Sequence, residues 1–98
     1  MPAIRNLVFT KAFDKSYQKF TAKNQLLKGA IEKALLKLRH NAFEPSLKTH
    51  KLSGKLVALL ACSCGYDCRI VFIIEKDLSN PDIENILLLD IGTHDDVY

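Results

Sequence analysis

At 98 residues, with 48% hydrophobic and 26% charged side chains, the chain fits one globular domain with a single modest core. No run reaches the roughly 18 apolar residues of a membrane span. The opening Met1-Pro2-Ala3-Ile4-Arg5 lacks the apolar stretch of an export signal, so a cytoplasmic protein is expected. The net charge of +3 hides an asymmetry. Residues 1–55 carry twelve Lys/Arg against three Asp/Glu, a net +9, and residues 56–98 carry two against eight, a net −6. A basic half suits a polyanion such as RNA, or an acidic peptide; solvated helical faces would account for it equally.

Residues 3–10 suit a first strand, with Ile4, Val8 and Phe9 supplying β-favouring side chains. The period then changes. Phe13, Tyr17 and Phe20 fall at helical spacing with Lys11, Lys15 and Lys19 among them, which predicts a short amphipathic helix over 11–21. Leu27, Ile31, Ala34, Leu35 and Leu38 form the apolar stripe of a second helix, with Asn24 as its cap and an end near Arg39. His40 then reads as a helix-terminus residue without a catalytic role. From Asn41 to Gly54 periodicity is lost, with Pro45 and Gly54 as punctuation. Apolar runs at 55–62, 68–75 and 83–91 predict three strands, the last two joined by Asp77-Leu78-Ser79-Asn80-Pro81-Asp82. The order β-α-α-β-β-β implies an α+β fold, with an antiparallel meander from the last three strands and the helical pair packed on one sheet face.

Cys62, Cys64 and Cys68 are clustered and odd in number. Without an export signal, reduced thiols are expected rather than a disulfide. Zinc sites usually draw four ligands from paired Cys-x₂₋₄-Cys or His motifs. Cys-x-Cys-x₃-Cys has the wrong spacing and no nearby fourth ligand, so small apolar packing around a hairpin is the better account.

Three motifs add a resemblance. Leu47-Lys48-Thr49-His50-Lys51-Leu52-Ser53-Gly54 resembles a YafQ-like histidine, leucine and glycine leading into a strand. Gly65-Tyr66-Asp67-Cys68-Arg69-Ile70-Val71-Phe72 is similar to a strand opened by aspartate or arginine. Ile91-Gly92-Thr93-His94-Asp95-Asp96-Val97-Tyr98 resembles a C-terminal glycine, histidine and aromatic ending. In this order they resemble the RelE/ParE toxin superfamily, on its RelE/YafQ-like side, as one toxin domain over residues 1–98. The resemblance implies a RelE/ParE-like fold and an mRNA interferase of a type II toxin–antitoxin system.

The implied activity is ribosome-dependent, metal-independent endoribonuclease cleavage of mRNA in the A site, with no cofactor. In that chemistry a 2′-hydroxyl loses a proton, attacks the adjacent phosphorus and expels a 5′-oxygen that takes a proton up. His50 and His94 are the natural proton-transfer pair, because histidine titrates nearest neutral pH. Asp67 would act as a base or orient a histidine, and Arg69 would bind phosphate through its fork of donors. Tyr98 would stack on a splayed base, while Lys48, Lys51 and Lys55 would hold phosphates. Each has a plainer reading: His50 as an exposed loop histidine, Arg69 paired with Asp67, His94 and Tyr98 as terminal residues. Ser63 stands where some YafQ-like members carry a further histidine. Expected partners are a cognate antitoxin in a hetero-oligomer, the ribosome and mRNA, with no membrane. The competing functions are a ParE-like inhibitor of DNA gyrase and an RNA-binding module without chemistry.

Overall fold

The computed structural model describes residues 4–52 and 59–94. In chain order they form β1 (Ile4–Phe9), α1 (Lys11–Lys23), a 3-10 turn (Gln25–Leu27), α2 (Lys28–His40), a second 3-10 turn (Pro45–Leu47), β2 (His50–Lys51), β3 (Leu60–Gly65), β4 (Cys68–Lys76) and β5 (Ile83–Gly92). The expected order is present, with β2 as an added two-residue strand that the sequence pattern does not announce.

Thr10 starts α1. Its hydroxyl oxygen accepts the Phe13 N–H at 3.1 Å and donates to the Leu88 carbonyl at 2.6 Å. One residue thus caps a helix and ties it to β5. Asn24, expected to cap the second helix, instead closes the first: its amide donates to the Phe20 carbonyl at 3.1 Å and its backbone N–H to Thr21. The physical reason is that carbonyls at a helix end lack intrahelical partners, and a short amide can donate to one. The Gln25–Leu27 turn then intervenes, and α2 begins at Lys28. Of the expected stripe, Ile31, Ala34 and Leu38 are buried, and Leu27 and Leu35 pack against the core from its edge.

The sheet order is β1-β5-β4-β3-β2. The last three strands form the expected antiparallel meander, and β2 extends it antiparallel to β3. β1 pairs parallel with β5, Ile4 opposite Ile83 through Phe9 opposite Leu88, so the sheet as a whole is mixed. A parallel neighbour needs a crossover connection, and β1 leads directly into the helical pair. Cys62, Cys64, Cys68, Ile70, Phe72, Ile86 and Leu88 meet Phe13, Phe20, Ile31, Ala34 and Leu38 in one core on the helical face.

The expectation of reduced cysteines is corrected for two of the three: Cys64 and Cys68 form a disulfide. The cause is the tight β3–β4 hairpin. Gly65 pairs with Cys68 after a register irregularity, and the turn takes positive φ at Gly65 (138°) and Asp67 (50°). This brings the two cysteine Cα atoms to 5.0 Å, within bridging range. Cys62 is a free, fully buried thiol, and burial pushes its pKa up to about 12. All three cysteines lie in the apolar core, as the packing account expects.

Candidate active site

Strand alternation sorts the candidate residues. Cys68, Ile70 and Phe72 belong to the core on the helical face, so Arg69 and Val71 between them project to the opposite face. Residues directly opposed across an antiparallel pair share a face. His50 stands opposite Ala61 and Ala61 opposite Val71, while Arg69 stands opposite Ser63 and Gly92. His50 and Arg69 are therefore on one sheet face, two strands and two residues apart. Strand spacings of about 4.8 Å and rises of about 3.3 Å put their Cα atoms about 12 Å apart. Two side chains of this length can meet one bound phosphodiester across that gap.

His50 lies on the short edge strand and is exposed. Its Nδ1 is 3.0 Å from the Lys48 carbonyl. A carbonyl only accepts, so Nδ1 is the donor in this contact. Lys48 reaches this position in the left-handed region, at φ 53°. The local loop is held by Thr49, whose hydroxyl donates to the Ala42 carbonyl at 2.6 Å. Lys48 and Lys51 flank the histidine and are exposed.

At the other end of the site, Asp67 accepts the backbone N–H of His94 on Oδ1 at 3.0 Å. This contact joins the β3–β4 turn to the chain leaving β5, so Asp67, Arg69 and His94 lie at one end of the sheet. Arg69 does not pair with Asp67. Its guanidinium turns back and donates to the Cys68 carbonyl at 2.9 Å and, at 3.5 Å, to Gly65. That uses part of a five-donor group. Asp67 and Lys48 are the two non-glycine residues with positive φ among those described. One lies two residues before Arg69 and the other two before His50, so left-handed backbone occurs beside both candidate residues.

Tyr98 and Lys55 lie outside the described residues. His40 ends α2, where its carbonyl accepts from the Arg5 guanidinium at 2.7 Å. Among the described residues no group of three or more His, Cys, Asp or Glu side chains is placed to hold a metal ion, and no helix is long and apolar enough to cross a membrane. Two features escaped the sequence pattern. The Asp67–His94 contact uses a backbone donor 27 positions away. The other is the cavity between α1 and the end of β5, lined in part by Lys19, Lys23 and Thr93; its one signal was the four-residue lysine spacing in α1.

Comparison with solved structures shows the same fold at low identity. The toxin of the DinJ–YafQ toxin–antitoxin complex of E. coli gives a TM-score of 0.71 at 14% identity, covering 96% of this chain and 97% of that one. A YoeB dimer from Staphylococcus aureus gives 0.70 at 20% identity, covering 94% and 99%. A metal-bound toxin from Helicobacter pylori gives 0.68 at 21% identity, covering 95% and 98%. Among curated proteins no sequence matches significantly. The family model for the "bacterial toxin of type II toxin-antitoxin system, YafQ" matches residues 5–98. The chain belongs to the YafQ family of toxins of type II toxin–antitoxin systems.

Proposed function

We propose that this toxin is a ribosome-dependent endoribonuclease that cleaves mRNA in the A site by 2′-hydroxyl transesterification. The observation that carries the reading is the shared sheet face of His50 and Arg69, with Asp67 anchoring His94 at the Arg69 end of the sheet. His50, with its proton on Nδ1, offers Nε2 for proton transfer. His94 supplies the second imidazole, so one removes the 2′ proton and the other protonates the departing 5′-oxygen. Arg69 releases the turn carbonyls to meet the phosphate, where its fixed charge offsets that developing on the non-bridging oxygens. Asp67 positions His94 through its backbone. Tyr98 stacks on a base of the codon, and Lys48, Lys51 and Lys55 hold neighbouring phosphates. The nucleophile belongs to the RNA itself, so the route needs no metal ion.

The ribosome is the second partner, because so small a surface orients RNA poorly by itself and fixed orientation is worth several kcal/mol of barrier. A cognate antitoxin is the third, binding the toxin in a hetero-oligomer; the E. coli YafQ neighbour is itself seen in a toxin–antitoxin complex. Both partners put the toxin in the cytoplasm.

The test is a map of mRNA 5′ ends after brief induction, beside a His94→Ala control with unchanged melting temperature. Codon-phased cuts within translated regions, absent in the control, are expected. Growth arrest with intact mRNA and altered plasmid supercoiling would overturn the proposal in favour of gyrase inhibition.

A further inference from the structure

Helix α1 carries Lys11, Lys15, Lys19 and Lys23, one lysine every four residues and all exposed. At 1.5 Å per residue they rise about 6 Å per step and span about 18 Å along the helix. Like charges at this spacing disfavour a helix. The helix offers one acid, Asp14, and among the described residues none of the four lysines meets a carboxylate within ion-pair distance. An anion along the stripe would relieve this repulsion.

The stripe also leads to a particular place. Lys19 and Lys23 line a cavity of about 570 Å³ between α1 and the end of β5, together with Ser16, Asn24, Thr93 and one carboxylate, Asp90. Asp90 spends one oxygen on the Ile91 N–H at 2.9 Å. Thr93 immediately precedes His94, so the cavity adjoins the candidate catalytic end of the sheet. Two ammonium groups, two hydroxyls and an amide suit phosphate and ribose oxygens. The apolar lining residues, Phe20 and Ile91, are 9% and 3% exposed. They offer no anchor for an amphipathic peptide, which needs an apolar face to bury.

We propose that this cavity and the α1 lysine stripe hold the phosphodiester backbone of the cleaved mRNA strand where it passes His94. The proposal rests on the nuclease reading above. It adds a second contact region, on the helical side of the molecule, to the lysines around His50. The RNA then runs from Lys48 and Lys51, across the sheet face, to Lys19 and Lys23.

The test is a Lys19→Gln/Lys23→Gln double variant, with Lys76→Gln at the far end of β4 as the charge control. Glutamine matches lysine in helix propensity, so the melting temperature is expected to hold. First, a single-stranded RNA oligomer carrying 2′-deoxy sugars is titrated against the isolated toxin over a range of salt. Each lost phosphate contact lowers the slope of log K on log salt by about 0.7, so the double variant should flatten it by about 1.4; a slope no flatter than that of Lys76→Gln overturns the proposal. Second, programmed ribosomes receive mRNAs that end at the A-site codon or extend beyond it. The wild type should cleave the extended mRNA with the higher kcat/KM, and the double variant should lose that advantage. An equal loss on both mRNAs would assign the lysines to ribosomal RNA and overturn the proposal. The oligomer arm reads binding alone, so failure of the nuclease reading stays separable from failure of this one.

Discussion

Asp67 can serve as a proton acceptor or as the anchor of His94, and three substitutions separate the roles. Its φ of 50° is tolerated by Asp, Asn and Gly but costs other residues roughly 1 kcal/mol. Asp67→Asn keeps both the backbone conformation and an oxygen for the His94 N–H, now 3.0 Å from Oδ1, and removes only the charge. Asp67→Gly keeps the backbone and removes the oxygen. Asp67→Ala removes the oxygen and adds backbone strain. A hydrogen bond to a charged group contributes about 1.5–3 kcal/mol and a neutral one about 0.5–1.5. Asn should therefore lose about 1 kcal/mol of anchoring, and Gly about 2. If anchoring passes fully into the transition state, kcat/KM on programmed ribosomes falls about fivefold for Asn and about thirtyfold for Gly. Melting temperatures would separate Ala from Gly. Equal losses of a thousandfold or more in Asn and Gly would refute anchoring and make the carboxylate the general base.

Three further outcomes follow from the core. The Cys64–Cys68 bridge closes a loop of sequence separation 4, for which the chain-entropy relation gives about 2 kcal/mol. Reduction by a small phosphine, followed by calorimetry, should lower Tm by roughly 10 °C, and an unchanged Tm would show that the turn is held by packing alone. Cys62 has its thiol pKa raised by burial from 9.0 to about 12. The unfolded chain gives up this proton first, so the stability the group confers is complete below about pH 9. It declines by roughly 4 kcal/mol as pH rises through 12, and urea midpoints over that range for Cys62→Ala should lack this part of the decline. Leu38→Ala, at a position with no exposure, should cost about 2–5 kcal/mol by urea unfolding without changing RNA binding.

What the residues announce in advance is what local physics controls. The helical stripe of Ile31, Ala34 and Leu38 and the β-branched runs of β4 and β5 state their own periods. Asn24 was ambiguous for a local reason: an amide between two helices can cap either one, and here it donates to the Phe20 carbonyl at the end of α1. The Cys64–Cys68 bond depends on how tightly Gly65 and Asp67 let the hairpin turn, whereas the compartment argument for reduced thiols ignores geometry. The parallel pairing of β1 with β5 joins Ile4 to Ile83, beyond the reach of any window read along the chain. The candidate site was readable in the sequence only as residue types and motif order. Its geometry was not, because the shared face of His50 and Arg69 depends on strand register, and the place of His94 on a backbone hydrogen bond.

The pairing of β1 has a consequence for how the protein is made. Among the described residues the strand partner of β1 is β5, and Thr10 also donates to Leu88. The first strand synthesised thus waits for residues 83–88 before it has a partner. The meander from β3 onward can assemble from neighbouring segments, but closing the sheet spans most of the chain, and such contacts form slowly. His94 lies beyond β5 and meets Asp67 only when that last strand is in place. Completion of the fold and assembly of the candidate site are therefore one late event, set by the arrival of β5.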